Sequence, residues 1–192
     1  MARGHVILSH GLESGPEAAK VAALASVAES IGWTHERPDY RDLDAGRRPE
    51  DIAARVDRLF DCARAVRGPL VLAGSSMGAF ISGEVAWRLT HAAPPGTVAP
   101  EAPTPPALLG LFLMAPPIAM PGWWPTPLRM PERLPTMVVH GWDDELIPAS
   151  AVIDWCAARK AELRLVDDAH RLAAHVEYCA RAFGELLRRV AP

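Results

Sequence analysis

Short runs of apolar residues recur along the chain without the alternation of polar and apolar positions that marks a half-exposed strand. Four such runs predict strands that are buried on both faces, as in a parallel sheet. Two weaker candidates bring the predicted sheet to about six strands. The stronger runs are His5–Leu8, Leu70–Ala73, Leu108–Met114 and Thr136–Val139, and the weaker ones lie around Thr34–Pro38 and Leu163–Val166.

Helical patterns lie between these predicted strands. Apolar residues recur at helical spacing between Pro16 and Gly32, again after Pro49, and from Val176 to Val190. Proline suits the first turn of a helix, and glycine suits its C-terminal cap. Because strands and helices alternate, the pattern predicts an α/β fold in which helices cover both faces of a mainly parallel, twisted sheet. In such folds the functional groups lie at the carboxyl ends of the strands.

One segment interrupts this alternation. Residues 92–106 are rich in proline, which suits neither a helix nor a central strand. The composition predicts an exposed loop, and it is more typical of an inert linker than of a docking site. Because it follows a helical pattern that starts at Ser76 and runs back down the sheet, we expect this loop on the face opposite the functional groups.

Length and composition narrow the class of protein. The 192 residues, of which 49% are apolar, suit a single domain over residues 1–192 with one packed core. A net charge of −3 without a dense Lys/Arg run argues against nucleic-acid and membrane partners. No signal peptide or apolar run of about 20 residues is visible, so we expect a cytoplasmic protein. Three widely spaced cysteines suit reduced thiols rather than disulfides or a metal site.

A serine in a glycine-flanked turn follows the second strong apolar run. Residues Gly74 to Gly78 read G-S-S-M-G, and a helical pattern comes next. A buried strand, G-x-S-x-G and a helix together are typical of a nucleophile elbow. In that elbow the serine occupies a strained turn, and side chains at 74 and 78 would collide with the neighbouring strand or helix. Ser76 is therefore the candidate nucleophile, whereas Ser75 fits only as the variable residue.

Further motifs extend this interpretation over nearly the whole chain. Residues 9–12 read S-H-G-L after the first strand, residues 140–148 read H-G-W-D-D-E-L-I-P, and residues 168–170 read D-A-H. Together with the elbow, they resemble the α/β-hydrolase superfamily, specifically its small capless carboxylesterase-like and thioesterase-like members. The resemblance implies a minimal α/β-hydrolase fold without a cap, with catalytic residues in the order serine, acid, histidine.

The resemblance assigns the general base to His170. A serine hydroxyl needs a base that accepts its proton during attack and returns it to the leaving group. His170 lies between the last predicted strand and the last predicted helix, where this family keeps its histidine. We expect His175, in the helical stretch, to be a surface or capping residue, and His10 and His140 to serve loop geometry.

The base needs a carboxylate that holds its tautomer and stabilises the imidazolium. The family pattern His-Gly-x-x-Asp-x-x-Val/Ile-Pro places this acid at Asp144. Asp143 is adjacent and chemically identical, so it remains an alternative. Asp167 and Asp168 are expected to cap the loop that precedes His170.

Two backbone amides are expected to stabilise the oxyanion of the tetrahedral intermediate. The elbow supplies the amide of Met77, and the resemblance implies Leu12 as the second donor. We expect the carboxylate of Glu13 to point to solvent or to cap the next helix, because negative charge at this place would oppose the oxyanion.

The segment between the strand ending at Met114 and the strand near Pro135 is too short and too rich in proline for a cap, so we expect an open site. Apolar side chains in this segment could form a wall for an acyl or small alkyl group. These side chains are Met120, Trp123 and Trp124. Packing of one tryptophan as a loop anchor is an equal alternative. Arg41 could meet an anionic substrate, although a solvated loop arginine is the simpler expectation.

Together, the motifs and the resemblance predict a serine hydrolase that cleaves small or medium carboxylic esters or thioesters through an acyl-serine intermediate. We expect it to need no cofactor and no metal. The expected partner is a small-molecule acyl substrate. A serine peptidase or amidase of the same fold and a non-catalytic ligand-binding member remain alternatives. Fold and motifs set the reaction type but leave substrate identity and oligomeric state open.

Overall fold

A computed structural model describes residues 2–46, 48–91 and 106–192. Six strands form one sheet in the order β2-β1-β3-β4-β5-β6, and every neighbouring pair is parallel. The strands are β1 (His5–Ser9), β2 (Thr34–Glu36), β3 (Pro69–Ser75), β4 (Ala107–Met114), β5 (Thr136–Gly141) and β6 (Glu162–Val166). The prediction of a single α/β domain with about six parallel strands is confirmed.

Within the described ranges, five α-helices connect the strands and cover the sheet. They are α1 (Ala19–Ser30), α2 (Pro49–Ala65), α3 (Met77–His91), α4 (Ala149–Arg159) and α5 (Val176–Val190). The proline at position 49 begins α2 as predicted, and Gly32 follows the end of α1 with a φ of +83°. Pro16, however, lies in a turn before α1 rather than in its first turn, because Ala18 bonds to the carbonyl of Gly15 there.

Two apolar clusters hold the helices to opposite faces of the sheet. In β3, Val71 and Ala73 pack with α1 and α5, whereas Leu70 and Leu72 pack with α2, α3 and α4. Successive residues of a strand point to opposite faces, so a strand that is covered on both sides is apolar throughout. This arrangement explains why the strong runs of the sequence lack alternation.

The connection between β4 and β5, residues 115–135, contains neither helix nor strand, so no cap domain lies there. Of the predicted proline-rich loop at residues 92–106, residues 92–105 lie outside the described residues, and Pro106 leads directly into β4. In the ranges that the structure describes, no helix is long and apolar enough to cross a membrane.

Candidate active site

Ser76 lies in a sharp turn between β3 and α3. Its φ is 53°, in the left-handed region, and its backbone N–H donates to the carbonyl of Met114 at 2.8 Å. A Cβ at Gly74 would lie 2.2 Å from the carbonyl oxygen of Gly78, and one at Gly78 would lie 2.1 Å from the carbonyl oxygen of Ser9. The prediction that side chains at these two glycines would collide with a neighbouring strand or helix is confirmed, because Gly78 belongs to α3 and Ser9 to β1.

The structure brings Ser76, His170 and Asp144 into one hydrogen-bonded line. Ser76 Oγ lies 2.8 Å from His170 Nε2, and His170 Nδ1 lies 2.8 Å from Asp144 Oδ2. The three side chains come from loops that follow β3, β6 and β5, and both His170 and Asp144 are buried. With the His170 Nδ1 proton donated to the carboxylate, Nε2 is the acceptor for the serine hydroxyl. Ser75, the rival hydroxyl, is buried at the end of β3.

The neighbouring aspartates at the end of β5 have different surroundings. Asp144 is buried, and its Oδ1 accepts the backbone N–H groups of Leu146 at 2.9 Å and Ile147 at 2.8 Å. Asp143 is exposed, and its own backbone N–H donates to the carbonyl of Asp168 at 3.2 Å. The structure therefore places Asp144, and not Asp143, against His170.

A second histidine approaches the same carboxylate. His140 is fully buried at the end of β5, where its Nε2 donates to the carbonyl of Ile147 at 3.0 Å and lies 3.5 Å from Asp144 Oδ2. Burial lowers the pKa of His140 below its ordinary value of 6.5, so its ring is neutral at pH 7. His140 holds the loop in which Asp144 lies, which agrees with the expected role in loop geometry.

The loop that carries His170 is fixed on both sides. The backbone N–H of His170 donates to Glu145 Oε2 at 3.1 Å. The carbonyl of the next residue, Arg171, accepts from Lys20 Nζ at 2.6 Å. The backbone N–H groups of Glu145 itself and of His170 lower the pKa of the Glu145 carboxyl. A Cβ at Gly141 would lie 2.1 Å from the carbonyl of residue 168, so the ends of β5 and of this loop touch.

Asp168 caps this loop, as predicted. Its carboxylate accepts the backbone N–H groups of Ala169 at 2.8 Å and Ala174 at 3.0 Å. It also accepts from Nδ1 of His175 at 2.9 Å. His175 is the N-cap residue of α5 rather than a residue within that helix. These contacts leave His170 as the histidine that reaches Ser76.

Both residues whose amides are candidate oxyanion donors lie on elements beside Ser76. Met77 is the first residue of α3, and Leu12 follows Gly11 in the loop after β1. A Cβ at Gly11 would lie 3.5 Å from the Cβ of Ser76, so this loop packs directly against the elbow. Beyond Leu12, Glu13 adopts a φ of 55° and lines an open cleft of about 590 Å³.

Arg41 lines the same cleft but is engaged by carboxylates. It forms ion pairs with Asp39 at 2.6 Å and with Glu17 at 3.1 Å. The hydrogen bond and charge of Asp39 raise the pKa of Arg41 above its ordinary value. A guanidinium held in this way is a poor anion receptor, which favours the simpler expectation of a surface loop arginine.

The predicted apolar wall is partly buried against the α3 side of the sheet. The backbone N–H groups of Trp123 and Trp124 both donate to the carbonyl of Met120 at 2.9 Å, which forms a tight turn. The Trp124 ring packs edge-on against Phe80 with centroids 6.0 Å apart. Trp124 therefore anchors the loop to α3, and substrate contact by this trio stays a prediction.

Sequence reasoning missed two apolar side chains near the acid. Within the described residues, the exposed large hydrophobic side chains are Leu12, Trp142 and Leu146, which are 36%, 56% and 64% exposed. Trp142 and Leu146 flank Asp144 in the loop after β5. Both residues occupy variable positions of the motif at residues 140–148, and apolar residues at such positions after a strand were the sequence signal that could have identified them. Among all the residues that the structure describes, no cluster of His, Cys, Asp and Glu could hold a metal ion.

The chain is similar to several solved structures. A protein from Xanthomonas campestris pv. campestris that is assigned to the alpha/beta hydrolase superfamily shares 48% identity, with 97% of this chain and 99% of that chain covered and a TM-score of 0.81. A serine hydrolase without a lid from Xanthomonas campestris shares 22% identity, with 97% and 83% covered and a TM-score of 0.63. A Pyrococcus furiosus esterase shares 16% identity, with 100% and 85% covered and a TM-score of 0.65. No family model matches the chain, and no curated protein sequence matches it.

Proposed function

The chain belongs to the α/β-hydrolase superfamily, and from this membership we propose that it is a serine hydrolase that cleaves small or medium carboxylic esters or thioesters. The observation that carries the proposal is the hydrogen-bonded line from Ser76 through His170 to Asp144. The lidless serine hydrolase and the esterase among the neighbours share the fold and support hydrolase activity.

In the proposed reaction, Ser76 Oγ attacks the carbonyl carbon while His170 Nε2 accepts the hydroxyl proton. The backbone N–H groups of Leu12 and Met77 stabilise the oxyanion, and each such donor typically contributes about 10²- to 10³-fold in rate. His170 then donates the proton to the leaving alcohol or thiol, which departs and leaves an acyl-Ser76. Water, deprotonated by His170, attacks the acyl carbon and releases the carboxylic acid, and the proton returns to Ser76.

The role of Asp144 is to hold the imidazole and stabilise its charged form. Its Oδ2 accepts the Nδ1 proton of His170, so Nε2 faces Ser76 as an acceptor. Its Oδ1 is occupied by the backbone N–H groups of Leu146 and Ile147, which fixes the plane of the carboxylate. A fixed carboxylate costs no reorganisation when the imidazolium forms.

The substrate expectation follows from the open surroundings of Ser76. The connection at 115–135 forms no cap, and Ser76 keeps some solvent exposure. Exposed Leu12, Trp142 and Leu146 offer apolar contacts near the strand ends, and the turn that starts at Met120 offers more. An open apolar rim suits acyl groups of modest size and does not require an interface for activation.

Covalent labelling tests the nucleophile. A fluorophosphonate is expected to add one label, at Ser76, and Ser76→Ala is expected to lose both labelling and at least about a thousandfold of kcat on p-nitrophenyl acetate. Ser75→Ala is the matched control, because it removes the adjacent hydroxyl that is buried at the end of β3. A folded wild-type protein that neither labels nor hydrolyses esters would refute the proposed activity.

A substrate panel tests the acyl group and the bond. We expect kcat/KM on p-nitrophenyl esters to be highest at short or medium chain length, with acyl-CoA thioesters assayed in parallel. The same panel includes p-nitroanilides of matched acyl groups. Turnover of the anilides above that of the esters would favour an amidase or peptidase over the proposed esterase.

A further inference from the structure

A buried arginine on α2 contacts the loop that leads to Leu12, here defined as the oxyanion loop, residues 9–12. Arg55 is 1% exposed, and its Nη1 and Nη2 donate to the carbonyls of His10 at 3.3 Å and Gly11 at 3.4 Å. Its Nε donates to Asp44 Oδ1 at 2.6 Å, and its Nη2 also bonds to Asp44 Oδ2. One guanidinium thus joins a carboxylate to two consecutive peptide carbonyls.

A charged side chain at the buried position of Arg55 indicates a specific role. Burying a guanidinium is unfavourable unless it is paired and fully hydrogen-bonded, and an apolar side chain of similar volume would often be no less stable. Asp44 neutralises the charge of Arg55. The planar fork of arginine, which lysine lacks, allows several fixed bonds in different directions.

Tyr40 completes the support of the oxyanion loop. The Arg55 guanidinium lies over the Tyr40 ring at 4.8 Å, the Tyr40 hydroxyl lies 3.0 Å from Ser9 Oγ, and the Tyr40 backbone N–H donates to His10 Nε2 at 3.1 Å. His10 in turn donates from Nδ1 to the carbonyl of Gly11 at 2.8 Å. Burial lowers the pKa of His10, which keeps the neutral tautomer that both bonds need.

The bonds to the Gly11 carbonyl determine the direction of the next amide. The C=O of Gly11 and the N–H of Leu12 belong to one planar trans peptide, so they point in opposite directions. Because the carbonyl is held toward Arg55 and the ring of His10, the Leu12 N–H is held away from them. Gly11 itself packs against the elbow, because a Cβ at this position would lie 3.5 Å from the Cβ of Ser76.

We infer that Arg55, held by Asp44, is a positioning residue for the oxyanion hole, because it fixes the Gly11–Leu12 peptide so that the Leu12 N–H faces the substrate carbonyl oxygen at Ser76. This inference rests on the proposed function. Arg55 touches neither substrate nor reacting atoms and acts through the peptide that it orients.

The first test compares two matched substitutions on α2. Arg55→Gln is expected to lower kcat on p-nitrophenyl acetate about 10- to 100-fold with KM changed less than about threefold, since only the transition state loses a donor. Arg64→Gln makes the same change at an exposed position in the last turn of α2 and is expected to leave both constants unchanged. A folded Arg55→Gln variant with wild-type kcat would overturn the inference.

The second test separates positioning from a general structural effect. A trifluoromethyl ketone forms a hemiketal oxyanion on Ser76, so its Ki is expected to rise in Arg55→Gln by the same factor as kcat/KM falls. The matching secondary alcohol, which forms no oxyanion, is expected to bind equally to wild type and variant. A lower kcat with an unchanged ketone Ki would assign Arg55 a purely structural role.

Arg55→Lys covers the case in which the glutamine variant does not fold. Lysine keeps the pairing charge for Asp44 but lacks the fork, so a partial loss of kcat and a matching rise in ketone Ki are expected. Wild-type values in folded Arg55→Lys would overturn the inference.

Labelling of Ser76 in the wild type separates the two proposals. An unlabelled, inactive wild type refutes both proposals. A labelled wild type whose Arg55 variants are as active as wild type refutes only the positioning role.

Discussion

At the scale of single residues, the strained backbone of Ser76 is the feature on which the site depends. A non-glycine residue in the left-handed region costs about 1–3 kcal/mol, which the surrounding structure must offset. The N–H of Ser76 bonds to Met114, and its carbonyl accepts from Ala79 and Phe80 at the start of α3. These bonds hold the turn in which the Oγ meets His170.

The two aspartates after β5 provide a matched pair of substitutions. Asp144→Asn is expected to lower kcat on p-nitrophenyl acetate by about 10³- to 10⁴-fold, because an amide no longer selects the Nδ1–H tautomer of His170. Asp143→Asn, at an exposed position, is expected to stay within about twofold of wild type. Steady-state kinetics of both variants decide which aspartate is the catalytic acid. An inactive Asp143→Asn variant together with an active Asp144→Asn variant would assign that role to Asp143.

At the scale of elements, an ion pair between a half-buried arginine and a buried glutamate joins the β4–β5 connection to α3. Glu84 is fully buried on α3 and accepts from the Arg129 backbone N–H at 3.0 Å and from its Nη2 at 2.5 Å. The Arg129 guanidinium also lies 3.8 Å over the Trp87 ring. A Cβ at Gly83 would lie 2.8 Å from the Arg129 carbonyl oxygen, so loop and helix are in direct contact. A connection without regular structure is therefore fixed beside the site.

Substitution of Glu84 tests this anchor. Glu84→Gln removes the charge from a fully buried group, and we expect the free energy of unfolding to fall by about 1–3 kcal/mol. Arg88→Gln, also on α3, breaks an exposed ion pair with Asp57 of α2 and is expected to change the free energy of unfolding by less than about 0.5 kcal/mol. Urea unfolding followed by circular dichroism measures both. Equal effects of the two substitutions would mean that Glu84 does not anchor the connection.

At the scale of the whole molecule, parallel strands gather the site from distant parts of the chain. Leu12 follows β1, Ser76 follows β3, Asp144 follows β5 and His170 follows β6. All strands run in the same direction, so the loops after their carboxyl ends meet at one edge of the sheet. The order of strands brings β1 and β4 to either side of β3, which places the elbow at the centre of that edge.

Two buried histidines at this edge link global stability to pH. Burial lowers the pKa of both His10 and His140 below 6.5, so the folded state keeps them neutral while the unfolded chain takes up protons. Their contribution to stability is complete above pH 6.5 and is lost as pH falls through the lowered folded values. We expect thermal midpoints to decline between pH 7 and pH 5.

The variant His140→Asn isolates one of these groups. Asparagine cannot take up a proton, so the variant is expected to bind about one proton fewer on unfolding in this pH range. Its thermal midpoint should therefore depend less steeply on pH than that of the wild type, even if it is lower at pH 7.5. Parallel slopes for the two proteins would contradict the assignment of a neutral buried His140.

The sequence by itself determined the features that local patterns encode. Continuous apolar runs predicted the parallel sheet, and the glycines of the elbow predicted the tight turn at Ser76. Both features could be predicted because they depend mainly on residues that are adjacent in the sequence. Family motifs after the strands nominated His170 and Asp144 as its partners. The limits of these patterns show at strand ends, since β2 ends at Glu36 although the sequence allowed it to run to Pro38.

Only the tertiary structure decided which of several chemically equivalent side chains reaches the site. Asp144 and Asp143 are identical as residues, and the packing of β5 against the loop of His170 buries one and exposes the other. No local pattern marked Arg55, because its contacts with Asp44 and the oxyanion loop join separate segments of the chain. The direction of a side chain depends on distant elements that pack around it, and that information appears only once the chain has folded.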